Sequence, residues 1–95
     1  MVAEQIYEAV TEALVEHQAR VGKPCPSLNP DTIPVGGIPG FDSNSGHSLT
    51  CPIAVKLGVR LPVDVNVFLN PEGTRALPLR DVVERVQECV QELPS

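Results

Sequence analysis

Apolar residues recur at helical spacing near the start of the chain. Ile6, Val10, Ala13, Leu14 and His17 share one face, and Val21 extends it, which predicts a helix over residues 3–20. Glu4, Glu8, Glu12 and Glu16 stand four apart on another face, as a solvated stripe or an acidic docking stripe. Gly22 and Pro24 stop this helix. A second periodic stretch, Leu49, Ile53 and Leu57, predicts a helix over residues 43–57, with Gly58 as its C-terminal cap. Its first half is written in weak helix formers, Asn44 to Ser48, and Pro52 removes one backbone donor, so a kink or a frayed first half is expected. Leu79, Val82, Val83, Val86, Cys89 and Val90 form one face of a last helix over residues 78–92. Pro78 suits its first turn, and Asp81 complements the positive end of its dipole.

Between the first two helices, residues 23–42 hold five of the ten prolines together with Gly36, Gly37 and Gly40. No regular element survives that density, so a long loop is expected, anchored on the core by Ile33, Val35, Ile38 and Phe41. The apolar run Val65, Val67, Phe68, Leu69 has no strand to pair with, so residues 63–70 read as a short helical element, followed by a turn at Pro71–Gly73. The order is helix, long loop, helix, short element, helix: a single all-α domain, a small bundle. Leu14, Leu49, Ile53, Val83 and Val86 are its expected core.

The 95 residues carry a net charge of −5 and only three aromatics, Tyr7, Phe41 and Phe68. Both features argue against binding nucleic acid, which calls for cations toward phosphate and rings toward bases. No apolar run is long enough for a membrane span, and no signal peptide is visible. Cys25, Cys51 and Cys89 are odd in number and lack metal-site spacing, so a reducing cytoplasmic setting is the natural expectation.

The informative stretch is Gly40-Phe41-Asp42-Ser43. Fourteen residues separate Ser43 from Gly58-Val59-Arg60-Leu61-Pro62. An Asp-Ser pair opening the second helix, followed at that interval by Gly, an aliphatic, any residue, an aliphatic and Pro, resembles the acyl carrier protein family across essentially the whole chain. The resemblance implies a four-helix bundle of acyl carrier type, with a long first loop and a short third helix. It implies a protein without catalysis of its own, a monomer carrying acyl groups as thioesters on a 4′-phosphopantetheine arm attached to Ser43. The implied partners are a phosphopantetheinyl transferase and the enzymes that load and unload the arm. A carrier fold kept for protein contacts, without the arm, is the alternative.

Two features depart from the family pattern. Asn44 follows the serine where an aliphatic is usual, and residues 44–61 contain no Asp or Glu, although carrier helix two is normally acidic. An acidic docking surface would then lie on the first helix or near Asp81, Glu84, Glu88 and Glu92. Gly46-His47-Ser48-Leu49 also resembles the serine motif of peptidyl carrier domains, which makes Ser48 a rival. Only nine residues separate Ser48 from Gly58, so the register selects Ser43. His47 and Cys51, four apart, could form a thiol–imidazole pair on a helix, without a third orienting group. His17, His47, Cys25 and Cys51 show no metal-ligand spacing. Cys89 reads as a small buried hydrophobe.

Overall fold

The computed structural model describes residues 2–62 and 64–90. Four helical segments follow in order: α1 (Ala3–Val21), a single turn α2 (Pro34–Gly37), α3 (Ser43–Leu57) and α4 (Leu79–Cys89). The all-α expectation holds; the described residues contain no strand, and Leu69 and Ala76 form an isolated antiparallel bridge. The last two residues of the expected terminal helix, 91 and 92, lie outside the described residues.

Glycine ends α1 and α3 for the same physical reason. Gly22 (φ 72°) and Gly58 (φ 66°) take the left-handed conformation in which a side chain would be strained. In α1 this lets the Gly22 and Lys23 amides donate back to the carbonyls of Ala19 and Gln18. The other end of α3 is closed by Asp42, whose carboxylate accepts the Ser45 N–H at 2.9 Å.

α1 packs against both α3 and α4. Ile6, Val10 and Leu14 meet Leu49 and Ile53 of α3 and Leu79, Val82 and Val86 of α4 in one cluster, closed by Phe41, Val67 and Phe68 from the connecting segments. All five expected core residues are buried. Each such side chain removed from water contributes roughly 1.5–3 kcal/mol.

The long loop is anchored differently from the expectation. Ile38 and Phe41 are buried and Val35 is half-buried, but Ile33 is exposed. The principal fastening is polar. Gln18, fully buried on α1, donates through Nε2 to the carbonyls of Pro24 (3.0 Å) and Pro39 (2.8 Å), the two ends of the loop. Those two bonds use both amide protons, so Oε1 must accept from His17 Nδ1, 3.0 Å away. The His17 ring lies edge-on to Phe41 (5.4 Å), and Phe41 lies edge-on to Phe68 (5.3 Å). The far side of the loop meets α4. Thr32 O accepts the Leu79 N–H at 2.8 Å, Pro30 O accepts the Arg80 N–H at 3.0 Å, and Asp31 pairs with Arg80.

The expected short helix at 63–70 is corrected. Its described part, residues 64–70, forms turns and then a hairpin-like return around Gly73, in which Phe68 O accepts from Leu77 N and Arg75 O from Asn70 N. Phe68 N donates to Asn66 Oδ1 and Asn70 N to the Arg75 carbonyl, each at 3.0 Å, so two donors that a helix over this segment would need are taken elsewhere. The short helical turn lies instead inside the long loop, at Pro34–Gly37, and there Val35 and Gly36 leave helical geometry.

α3 is unbroken through the segment where a kink or a frayed first half is expected. The helix runs from Ser43 to Leu57 with Pro52 inside it. Contacts from the 64–68 segment hold its weak first half. Asn66 Nδ2 donates to the Ser43 carbonyl at 2.8 Å, and Thr50 Oγ1 donates to the Val65 carbonyl at 3.1 Å. Gly46 is buried where a Cβ would come 3.0 Å from Asn66 Oδ1 and 3.1 Å from Phe68 Cδ2. The glycine that looks like a helix weakness is what lets these segments approach.

Candidate functional site

Ser43 is the first residue of α3 and is exposed. The Gly36–Asp42 turn leads into it. Gly36 (φ 85°) and Gly40 (φ 72°) reverse the chain, and Phe41 N donates to Ile38 O while Gly36 N donates to Phe41 O. Phe41 is then buried, and the next two residues emerge at the surface. On the carbonyl side, Asn66 fixes Ser43 from outside the helix. The serine hydroxyl therefore projects from a backbone held on both sides, next to the positive end of a four-turn helix.

Asp42 accepts from both the Ser45 amide and the Ser45 hydroxyl (3.1 Å). The backbone N–H of Ser45 is the main cause that holds the Asp42 carboxyl below the usual aspartate range, with the Ser45 hydroxyl second. Asp42 is thus a carboxylate at neutral pH, engaged in capping. Ser48, the rival, is exposed in mid-helix, and its hydroxyl donates to the Asn44 carbonyl at 3.0 Å.

His47 and Cys51 both lie on the exposed side of α3 and line the same groove of about 460 Å³, with Val55 on α3 and Val59, Arg60 and Leu61 beyond it. His17 is buried on Gln18 and Phe41, away from that groove. The structure does not assemble the metal candidates: among the described residues no three His, Cys, Asp or Glu side chains could share an ion. Cys25, Cys51 and Cys89 are free thiols. Cys89 is half-buried rather than buried, and its sulfur accepts from Arg85 Nη1 at 3.0 Å.

The acidic stripe of α1 has a partner that periodicity did not show. Lys56 of α3 lies 2.7 Å from Glu16 and 3.6 Å from Glu12. The hydrogen bond to Glu16 is the main reason the Lys56 ammonium is held above the usual lysine range. Solvent screens both pairs at this exposure, so they add little to stability. Glu12 and Glu16 stay exposed beside Lys56, which offsets part of the charge at that end of the stripe while Glu4 and Glu8 carry theirs uncompensated by it. Near α4, Asp81 is half-buried while Glu84 and Glu88 are exposed; Glu92 lies outside the described residues.

Asn66, Gln18 and Gly46 are the positioning residues that sequence reasoning missed. Gln18 carried a faint signal, a polar residue on the apolar stripe just before a proline-rich loop. Asn66 and Gly46 act across segments and left none.

Comparison with known proteins returns no matching family model, no matching curated protein and no matching solved structure. No helix among the described residues is long and apolar enough to cross a membrane.

Proposed function

We propose that this protein is an acyl carrier, bearing acyl groups as thioesters on a 4′-phosphopantetheine arm esterified to Ser43. In this reading the fold is a variant of the acyl carrier bundle, with the third helix replaced by the turns of residues 64–77. The observation that carries it is the placement of Ser43: exposed, first in α3, preceded by the Asp42 cap and followed at the far end of the helix by the Gly58 cap.

The chemistry suits that placement. A phosphodiester on Ser43 would sit at the helix end where the dipole favours negative charge. No base beside Ser43 is required, because the transferase that installs the arm supplies that catalysis. The arm supplies the thiol, and the protein supplies its position. The chain is then not an enzyme, works as a monomer in the cytoplasm, and meets the transferase and the acyl-handling enzymes in turn. Asn44, where an aliphatic is usual in the family, is exposed, and Asn66 holds the Ser43 carbonyl from outside the helix.

Co-expression with a broad-specificity phosphopantetheinyl transferase, followed by intact mass measurement, tests the reading. The expected result is a gain of one phosphopantetheine group that Ser43→Ala abolishes and Ser48→Ala leaves. Loss of the gain only in Ser48→Ala would move the site. An unmodified wild-type chain would support the armless interaction module instead.

A further inference from the structure

The groove beside α3 has a composition unlike the rest of the surface. Its wall and floor are apolar: Ala54, Val55, Val59 and Leu61. Val55 is 74% exposed, the most exposed large hydrophobic residue of the described chain. Residues 43–61 contain no Asp or Glu, in a chain with 12 acidic and 7 basic residues. With Lys56 and Arg60 that stretch carries +2, so the remainder carries −7 to give the net −5.

Of these two cations, Lys56 is engaged by Glu12 and Glu16 and faces α1. Arg60 lines the groove, is exposed, and lies within ion-pair distance of no carboxylate among the described residues. An apolar trough with an unspent guanidinium at its edge matches a ligand that presents apolar groups flanked by carboxylates. Arginine is suited to that pairing because its planar fork engages a carboxylate through two N–H donors. The net −7 of the remainder disfavours such a ligand over most of the surface, and exposed cations outside this stretch, Arg20, Lys23 and Arg75 among them, do not line the groove.

We infer that the groove between α3 and residues 59–61 is the docking site for an acidic, amphipathic segment of a partner protein. Apolar side chains of that segment enter the groove over Val55 and Leu61, and a carboxylate meets Arg60. This goes beyond the carrier reading and does not depend on it, because the unmodified chain presents the same groove.

The test uses the unmodified full chain, labelled with ¹⁵N, and two synthetic helical peptides of about 16 residues, long enough to hold helical structure. Both carry the same leucine stripe; one bears glutamates on its polar face and the other lysines. The expected result is that the acidic peptide shifts amide signals of residues 47–61, and that added salt weakens it. Arg60→Glu should weaken it roughly tenfold or more, since the charge pair becomes a repulsion. Val55→Ser should weaken it independently, with the thermal midpoint of both variants unchanged because the side chains are exposed. The lysine peptide should perturb α1 and α4 instead. Absence of binding by the acidic peptide overturns the inference, as does equal binding of both peptides at residues 47–61. Titration with decanoate alone, and dilution of the chain alone, cover the other occupants. Shifts at residues 47–61 from decanoate without any from the acidic peptide, or shifts that grow with the concentration of the chain itself, also overturn it.

Discussion

Replacing Gly46 with alanine sets two well-known effects against each other, and the structure decides the sign. In an open helix position the change would gain about 1 kcal/mol from helix propensity. Here the new methyl would lie 3.0 Å from Asn66 Oδ1, 3.1 Å from Phe68 Cδ2 and 3.3 Å from Phe68 Cβ. Phe68 cannot yield, being fully buried and stacked edge-on against Phe41. Asn66 cannot yield without losing the Phe68 N–H (3.0 Å) or the Ser43 carbonyl (2.8 Å). Forcing one methyl into such packing costs about 1–3 kcal/mol. The net expectation is a loss of about 1 kcal/mol, which for a domain of this size lowers the thermal midpoint by about 4–8 °C. Thermal unfolding followed by circular dichroism reads this directly. Gly37→Ala is the control, because nothing lies within 4 Å of its Cβ position. A midpoint for Gly46→Ala equal to or above wild type would refute the view that residues 64–68 clamp the start of α3.

Three further outcomes follow from the same structure. Leu14→Ala removes a fully buried side chain from the face of α1 that meets both other long helices and should cost about 2–5 kcal/mol in denaturant unfolding; a smaller loss than 1 kcal/mol, roughly the scale of a surface change, would contradict that packing. Asp42 has its carboxyl pKa lowered by folding, so its contribution is complete above the unfolded value of roughly 3.9 and is lost as pH falls through the lower folded value. Asp42→Asn should therefore flatten the acid limb of the stability–pH profile, and an unchanged limb would show the cap carries none of it. Amide exchange at residues 46–50 is expected to be as slow as at residues 82–86, since Gly46 and Thr50 are both held from outside the helix; rapid exchange confined to 46–50 would restore a hinge at Pro52.

The helices were legible because their causes are local. Ile6, Val10 and Leu14 repeat at helical spacing, Gly22 and Gly58 meet the left-handed turns that end α1 and α3, and Asp42 sits where an N-cap belongs. The candidate serine was legible for the same reason, being defined by its distance from a cap. What holds that serine in place was not. Asn66 acts on a backbone carbonyl of Ser43, and any residue has a carbonyl, so no pattern in the partner announces the bond. Gly46 counted as a weakness on propensity alone, while its close approach to Phe68 depends on a chain return 22 residues later. Residues 64–70 failed as a helix because the Phe68 amide turns to the Asn66 side chain and the Asn70 amide to the Arg75 carbonyl, which apolar periodicity does not register.

Pro78 stands at the N-cap of α4 and has no side-chain oxygen to offer, so the helix begins without a cap of its own. The loop supplies one at a distance, through the carbonyls of Thr32 and Pro30 on the amides of Leu79 and Arg80. Sequence between Asn29 and Thr32 is therefore part of the foundation of a helix nearly fifty positions further on. A shortened descendant of this protein that trimmed the loop for compactness would inherit a frayed α4. It could recover only by replacing Pro78 with serine, threonine, aspartate or asparagine, so the loop length and the residue at position 78 should change together.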